Sequence, residues 1–300
     1  MPNFRSPKKQ AKHATQTKAH HGLPRHNNKS SGVIHSIGTE RCYTQSLASV
    51  ATWMQDNRLG NLQSLTTSQA HQYLSARSEY VTQKTLDLDR QAMQKHLGHS
   101  LDRIKSTVPQ TALASESRVY SLRQVREITH QMPAKYALAT NIALAAGLRA
   151  SELLTLRKAD ERMMSVHREW SSNRFIGREN QIKYTVAGKG GLIREVTIPQ
   201  DLAAKLEAYR LYQPKTVTDR GIYRSKQYDI PGGKKFSQKF SNSSKQALGF
   251  SLGAHGLRHT YAQERIIELQ SNGYSLIEAK GVVAQELGHF SPNTTEAYLR

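Results

Sequence analysis

Apolar residues recur at helical spacing along most of the chain, and at strand spacing in one central stretch. Tyr43, Leu47, Val50 and Met54 step by four, three and four, which predicts a helix over Glu40 to Met54. Thr66 with Gln69 is a helix-start signal, with Leu65 placed to staple onto Ala70. Leu86, Met93 and Leu97 give a further apolar face, closed by Gly98. Ser121 with Gln124 repeats the start signal ahead of Leu122, Val125 and Ile128. After Pro133, the run Tyr136 to Leu148 predicts a buried helix ending near Gly147. The period then changes to two at Ile182, Tyr184 and Val186, and again across Glu195 to Ile198. Gly188-Lys189-Gly190-Gly191 between them is turn chemistry, so this stretch predicts a β-hairpin. Gln200 to Tyr212 reads as helix, Asp219 to Gly233 as a loop rich in glycine and charge, and helical signals resume at Phe236 and Phe240. Ser275 with Glu278 opens a late helix with Leu276, Val283 and Leu287 as its buried stripe and Gly288 at its stop. Ser291-Pro292 then opens a short helix that carries Tyr298.

These elements fall into two groups. Residues 33–106 predict a small domain of about four helices. Residues 107–117, with Pro109 among Ser and Thr, read as a linker. Residues 118–300 predict a second, mostly helical domain that contains the hairpin. The fold class is therefore mainly α with a small β part. Residues 1–32 carry Arg5, Lys8, Lys9, Lys12, Lys18, Arg25 and Lys29 and no acid. They show no apolar period, and they read as a disordered basic arm.

Charge sharpens the picture. Lys and Arg number 43 against 23 Asp and Glu, a formal net charge of +20, and the chain beyond the arm is basic in its own right. An imbalance of this size predicts a polyanionic partner, nucleic acid before a membrane surface. The single cysteine, Cys42, excludes a disulfide framework within the chain and a cysteine-rich zinc site. The N-terminus lacks the apolar core of a signal peptide, and Tyr136 to Leu148 is too short to span a bilayer. A cytoplasmic protein with no membrane association is expected.

Three stretches carry candidate chemistry. Ala146-Gly147-Leu148-Arg149-Ala150-Ser151-Glu152 places Arg149 and Glu152 three apart, so that a carboxylate can orient the guanidinium and leave its fork for a phosphate. His255-Gly256-Leu257-Arg258-His259-Thr260 puts an imidazole beside a second guanidinium, a pairing suited to proton transfer next to a phosphodiester. Leu287-Gly288-His289-Phe290-Ser291, with Thr294-Thr295 and Tyr298, ends the chain. With Gly188-Lys189-Gly190 between the first two, the set, in this order, resembles the tyrosine recombinase (phage-type integrase) family over the whole second domain. The helical first domain is similar to the family's core-binding domain by pattern alone.

The resemblance implies a helical, SAM-like core-binding domain and a mostly helical catalytic domain that clamp DNA between them. It also implies a role for each matching residue. Tyr298 is the nucleophile, and Arg149 and Arg258 hold the non-bridging oxygens of the scissile phosphate. Lys189 at the hairpin tip protonates the leaving 5′ oxygen, with Lys183 as a second hairpin lysine. His255 exchanges a proton with the tyrosine, His289 donates a hydrogen bond to the phosphate, and Glu152 is the supporting carboxylate. The implied activity is site-specific recombination through a 3′-phosphotyrosine, integrating or excising a mobile element, without metal or nucleotide cofactor. The implied assembly is a homotetramer on double-stranded DNA. Arg5, Lys8, Lys9 and Lys12 of the arm are candidate further DNA contacts. Two other readings share the fold: a non-catalytic architectural or regulatory DNA-binding protein, and a type IB-like topoisomerase. Only Leu299 and Arg300 follow Tyr298, where the family commonly continues into a segment that docks on a neighbouring protomer.

Overall fold

The computed structural model describes residues 6–21, 32–109, 117–291 and 295–299, with the Lys189 side chain outside that description. The chain divides into two compact units, Met1–Leu113 and Ala114–Arg300. Among the described residues no helix is long and apolar enough to cross a membrane.

The first unit packs α1 (Pro7–Gln16), α2 (Ile37–Asp56), a 3₁₀ turn (Leu62–Ser64), α3 (Thr67–Arg77) and α4 (Gln83–Leu97). The predicted stripe of α2 is real: Leu47, Val50 and Met54 are buried and Tyr43 packs against them. Thr66 and Gln69 exchange the two hydrogen bonds of a capping box at the start of α3. Gly98, at φ 88°, closes α4.

Helix α1 corrects the sequence reading of a disordered arm. Pro7 sits in its first turn, where a missing N–H costs nothing. Ala11 is fully buried in the core, and Thr15 bonds Thr44 of α2 at 2.7 Å. Lys18 is also engaged: its ammonium donates to the carbonyls of Lys95 and His96 at the C-terminal end of α4, where the helix dipole favours a cation. The helix was invisible because its packed face consists of small residues, Ala11, Ala14 and Thr15, too little apolar surface to register as a period. Lys8, Lys9 and Lys12 lie exposed on its other faces. Arg5, Arg25 and Lys29 lie outside the described residues.

In the second unit, α5 (Leu122–His130) and α6 (Ala134–Ala145) precede a three-stranded antiparallel sheet. Its strands, in the order β1-β2-β3, are β1 (Arg157–Lys158), β2 (Ile182–Ala187) and β3 (Ile193–Ile198). The β2–β3 hairpin has the predicted turn, and its register pairs Ile182 with Ile198 and Ala187 with Ile193. Then follow α7 (Gln200–Glu207), β4 (Arg210–Asp219), β5 (Ile222–Tyr228), α8 (Gly233–Leu248), α9 (Gly256–Ser271) and α10 (Leu276–Glu286). One core joins α5, α6, α7, α8 and the sheet around Ile142, Tyr184, Phe236 and Leu257. A second, between α9 and α10, includes Leu269, Val283, Leu287 and Tyr298.

Two further expectations are corrected here. Helix α7 stops at Glu207, and the stretches read as its continuation and as a loop pair instead as a second hairpin, β4–β5. Most of β4 is solvent-exposed on both faces, so no buried alternation marks it as a strand. Of the stripe expected on α10, Val283 and Leu287 are fully buried but Leu276 is 44% exposed, and Ala279, Val282 and Glu286 complete the buried face. The proposed helix start at Pro292 lies outside the described residues.

The packing of α1 gives a testable outcome. Ala11→Glu forces a carboxylate into the first core and should cost roughly 2 kcal/mol or more in unfolding free energy. Denaturant melting of the variant reads this directly, and a neutral result would return the segment to an unpacked arm.

Candidate functional site

The site is built around a carboxylate that folding has removed from water. Chain reversal after α6 uses Gly147 at φ 58°, packed so closely on Tyr261 and Leu287 that an added Cβ would lie 2.6 Å from the Tyr261 ring. This delivers Arg149 to the mouth of a 3₁₀ turn, Glu152–Thr155. Glu152 is wholly buried. One of its oxygens accepts from the Arg149 guanidinium at 2.8 Å. The other accepts from the Arg149 backbone N–H and from Arg194, each at 2.8 Å, with Arg258 at 3.8 Å. Burial alone would push this carboxyl up. The charges of Arg194, Arg258 and Arg149, with the Arg149 amide, outweigh it and hold the pKa at about 2. Arg149 and Glu152, three apart in the sequence, are thus ion-paired.

Arg258 lies in the first turn of α9, and His255 is the residue that precedes that helix. The Arg258 guanidinium is completely buried. It donates to the carbonyl of Gly147 at 2.6 Å, to the carbonyl of Leu287, and through Nε to the Tyr298 hydroxyl at 3.3 Å. Burial and the nearby Arg149 charge, partly offset by Glu152, lower its pKa to about 10, so it stays a cation at neutral pH. Arg149 retains 27% side-chain exposure and is the open edge of the cluster.

His289 follows the stop at Gly288 (φ 72°) beyond α10. Its Nε2 lies 2.9 Å from Arg149 and 3.4 Å from Arg258. Both guanidiniums only donate, so Nε2 is the acceptor and the proton sits on Nδ1, which is buried without a partner among the described residues. The ring is thus a neutral acceptor for both arginines. Burial first, then Arg258, Arg149 and Arg194, lower its pKa to about 3. The same causes, burial followed by Arg258, His259 and Arg149, lower His255 to about 4. Both imidazoles are therefore neutral at pH 7.

Tyr298 is 7% exposed and sits among three imidazoles. Ring centroids lie 4.7 Å from His259 and 5.7 Å from both His255 and His289. Gln263 fixes its carbonyl at 3.1 Å. The β2–β3 turn reaches the same place. A Cβ at Gly188 would stand 3.1 Å from Glu152 Oε1 and 3.8 Å from the Arg149 guanidinium, so glycine allows this close approach. Lys189 is the next residue, in the turn at the hairpin tip, and its side chain lies outside the description. Lys183, the other hairpin lysine, is exposed on β2 opposite Thr197.

Arg149, Glu152, His255, Arg258, His289 and Tyr298 are thus brought together. Two contributors were missed. Arg194 on β3 is 1% exposed and bridges Glu152 to the carbonyl of Glu286 at 2.8 Å. Its signal was present, because the strand period places it on the inward face with Val196 and Ile198, where a charge needs a partner. His259, quoted only as a motif letter, carries the imidazole nearest to Tyr298.

No protein-family model and no curated protein sequence matches the chain. Solved structures do. A XerH site-specific recombinase bound to palindromic difH substrate, in a post-cleavage complex, is 13% identical with a TM-score of 0.56, over 99% of this chain and 93% of that one. The Tn1549 transposon integrase in complex with transposon right-end DNA is 13% identical with a TM-score of 0.52, over 98% and 94%. A lambda integrase dimer bound to a COC′ core site is 15% identical with a TM-score of 0.51, over 92% of each chain. The chain has the tyrosine recombinase fold.

The buried imidazoles make a pH-dependent outcome. His255 and His289 have folded pKa values of about 4 and 3 against an ordinary 6.5. Between those values the unfolded chain binds more protons, so stability is complete above about pH 6.5 and is lost as pH falls toward about 4. Urea midpoints should fall between about pH 7.5 and 5, and less steeply in a His255→Gln/His289→Gln variant. Parallel slopes in the two proteins would refute the neutral, buried state of these rings.

Proposed function

We propose that this chain is a site-specific DNA recombinase that cleaves and rejoins strands through a covalent phosphotyrosine. The observation that carries the reading is charge. Three guanidiniums, from Arg149, Arg194 and Arg258, share one buried carboxylate, Glu152, so the cluster keeps a net positive charge directly beside the Tyr298 hydroxyl. A phosphodiester supplies the negative charge that this arrangement lacks, and it accumulates more as the transition state forms.

In the proposed reaction the Tyr298 oxygen attacks the scissile phosphorus, and the bond from phosphorus to the 5′ oxygen breaks. The phenolic proton passes to neutral His255, and the leaving oxygen takes its proton from Lys189 at the hairpin tip. Arg149 and Arg258 bind the non-bridging oxygens, and His289 lies between them. The resulting 3′-phosphotyrosine conserves the bond energy, so a 5′ hydroxyl from another strand reverses the step. The printed names of the structural neighbours, recombinases and integrases on DNA, support the substrate class. The dimeric lambda integrase and the transposon-end complex support assembly of several protomers on DNA and work on a mobile element. The exposed Lys8, Lys9 and Lys12 of α1 add backbone contacts in this reading.

A nicked duplex drawn from DNA flanking the protein's own coding region tests the chemistry. Wild-type protein should form a denaturant-resistant adduct that Tyr298→Phe abolishes. Arg149→Ala should slow adduct formation about a hundredfold or more while DNA binding persists. DNA binding by the wild type with no adduct would favour the architectural protein. An adduct with Tyr298→Phe would remove the nucleophile assignment.

A further inference from the structure

The β4–β5 ribbon combines a disfavoured turn residue with exposed positive charge. At its tip, Arg220 and Gly221 take φ 52° and 79°, a two-residue turn with both residues left-handed. Glycine, asparagine and aspartate dominate such positions, and an arginine there is sterically disfavoured. Along the ladder Lys215 stands directly opposite Lys226, a like-charge pair. Tyr212 is fully exposed and Tyr223 is 76% exposed. Arg210 is paired with Glu161 and Glu207, and Lys226 with Asp229 at 3.2 Å. Lys215, Arg220 and Arg224 have no carboxylate partner among the described residues.

The placement of the ribbon gives these charges a meaning. Asp219, at the end of β4, accepts the backbone N–H of Lys234 at 2.8 Å and fills the space over Gly233, which fixes the tip to the start of α8. The Gly233 N–H donates in turn to the carbonyl of Ala150 at 2.7 Å, one residue from Arg149. Helix α8 carries exposed Lys234 and Lys235 in its first turn, where the helix dipole disfavours cations and the Asp219 carboxylate from the ribbon supplies the negative charge. Lys215, Arg220 and Arg224 on the ribbon and Lys234 and Lys235 on the helix it is fixed to therefore belong to one joined segment, which the Gly233–Ala150 hydrogen bond ties to the residue after Arg149. A polyanion along the ribbon gives Lys215, Arg220 and Arg224 the negative partner that the described residues do not supply.

We propose that the β4–β5 ribbon and the adjoining start of α8 hold the backbone of duplex DNA beside the cleaved phosphate, with Lys215, Arg220 and Arg224 as phosphate contacts and Tyr223 against the sugar edge. This rests on the DNA reading of the site. Such contacts position the duplex without reading its sequence.

The test uses the full chain and a short fluorescent duplex of arbitrary sequence, titrated over a range of salt. The Lys215→Ala/Arg220→Ala/Arg224→Ala variant should keep the wild-type melting temperature. It should bind more weakly, and the slope of log affinity against log salt should become shallower by about 2 to 3, near 0.9 per lost phosphate contact. Wild-type affinity and slope in the variant would overturn the ribbon's role while leaving the recombinase reading intact. Unchanged affinity of single protomers with loss of multi-protomer complexes would overturn it too, assigning the ribbon to a second copy of the chain. Failure of the wild-type protein itself to bind any duplex would overturn the underlying DNA reading instead.

Discussion

One buried carboxylate, Glu152, organises the candidate site of the second unit. Without partners, Glu152 would have to protonate or return to water, because a charge removed from solvent is tolerated only when paired and hydrogen-bonded. Three guanidiniums and a backbone N–H meet that requirement, and each comes from a different part of the chain. Arg149 belongs to the same turn, Arg194 to β3 and Arg258 to α9. The glycine at 188 lets the β2–β3 turn close over the same oxygens. The constraint that keeps Glu152 ionised therefore also fixes the relative positions of a strand, a helix and a hairpin tip.

The end of α10 is tied into the same cluster by a complementary need. The last carbonyls of a helix have no partner within it. Here Arg194 takes the carbonyl of Glu286 and Arg258 takes that of Leu287. Cations at a helix C-terminus are favoured by the dipole, so the arginines that neutralise Glu152 also cap α10. His289 emerges from that cap, already beside Arg149. The carboxylate of Glu286 faces the other way and holds Arg265, Tyr261 and the amide of Phe175, which ties α9 and the segment after β1 into one frame.

What was legible in the sequence follows from this division. Helix starts with a capping box could be read, because Thr66-Gln69, Ser121-Gln124 and Ser275-Glu278 act locally. The β2–β3 hairpin was legible because one face is buried and the turn residues are distinctive. Helix α1 and the β4–β5 ribbon were not, for a shared reason: neither buries enough apolar surface to impress a period on its residues. Within the site, Arg149, Arg258 and Tyr298 stood out as motif letters. Their geometry did not, because it depends on Arg194 and Gly188, whose importance appears only when distant segments meet.

The cover over Arg258 illustrates how such a site remains stable while keeping its capacity for an anion. A buried guanidinium needs acceptors for its N–H groups, and leaving them unpaired would cost more than any packing gain at this spot. The fold supplies neutral ones: two carbonyls, the Nε2 of His289 and, at 3.3 Å, the Tyr298 hydroxyl. None is charged, and the two side-chain contacts are the longest of the four. In the proposed reaction the phosphate oxygens compete for the same N–H groups with charge-assisted bonds, which are shorter and roughly twice as strong as neutral ones. The carbonyls anchor the arginine throughout, while the weaker imidazole and phenol contacts are the ones a phosphate displaces. In the proposed reaction, this exchange of neutral for anionic acceptors would free the Tyr298 oxygen as its target arrives.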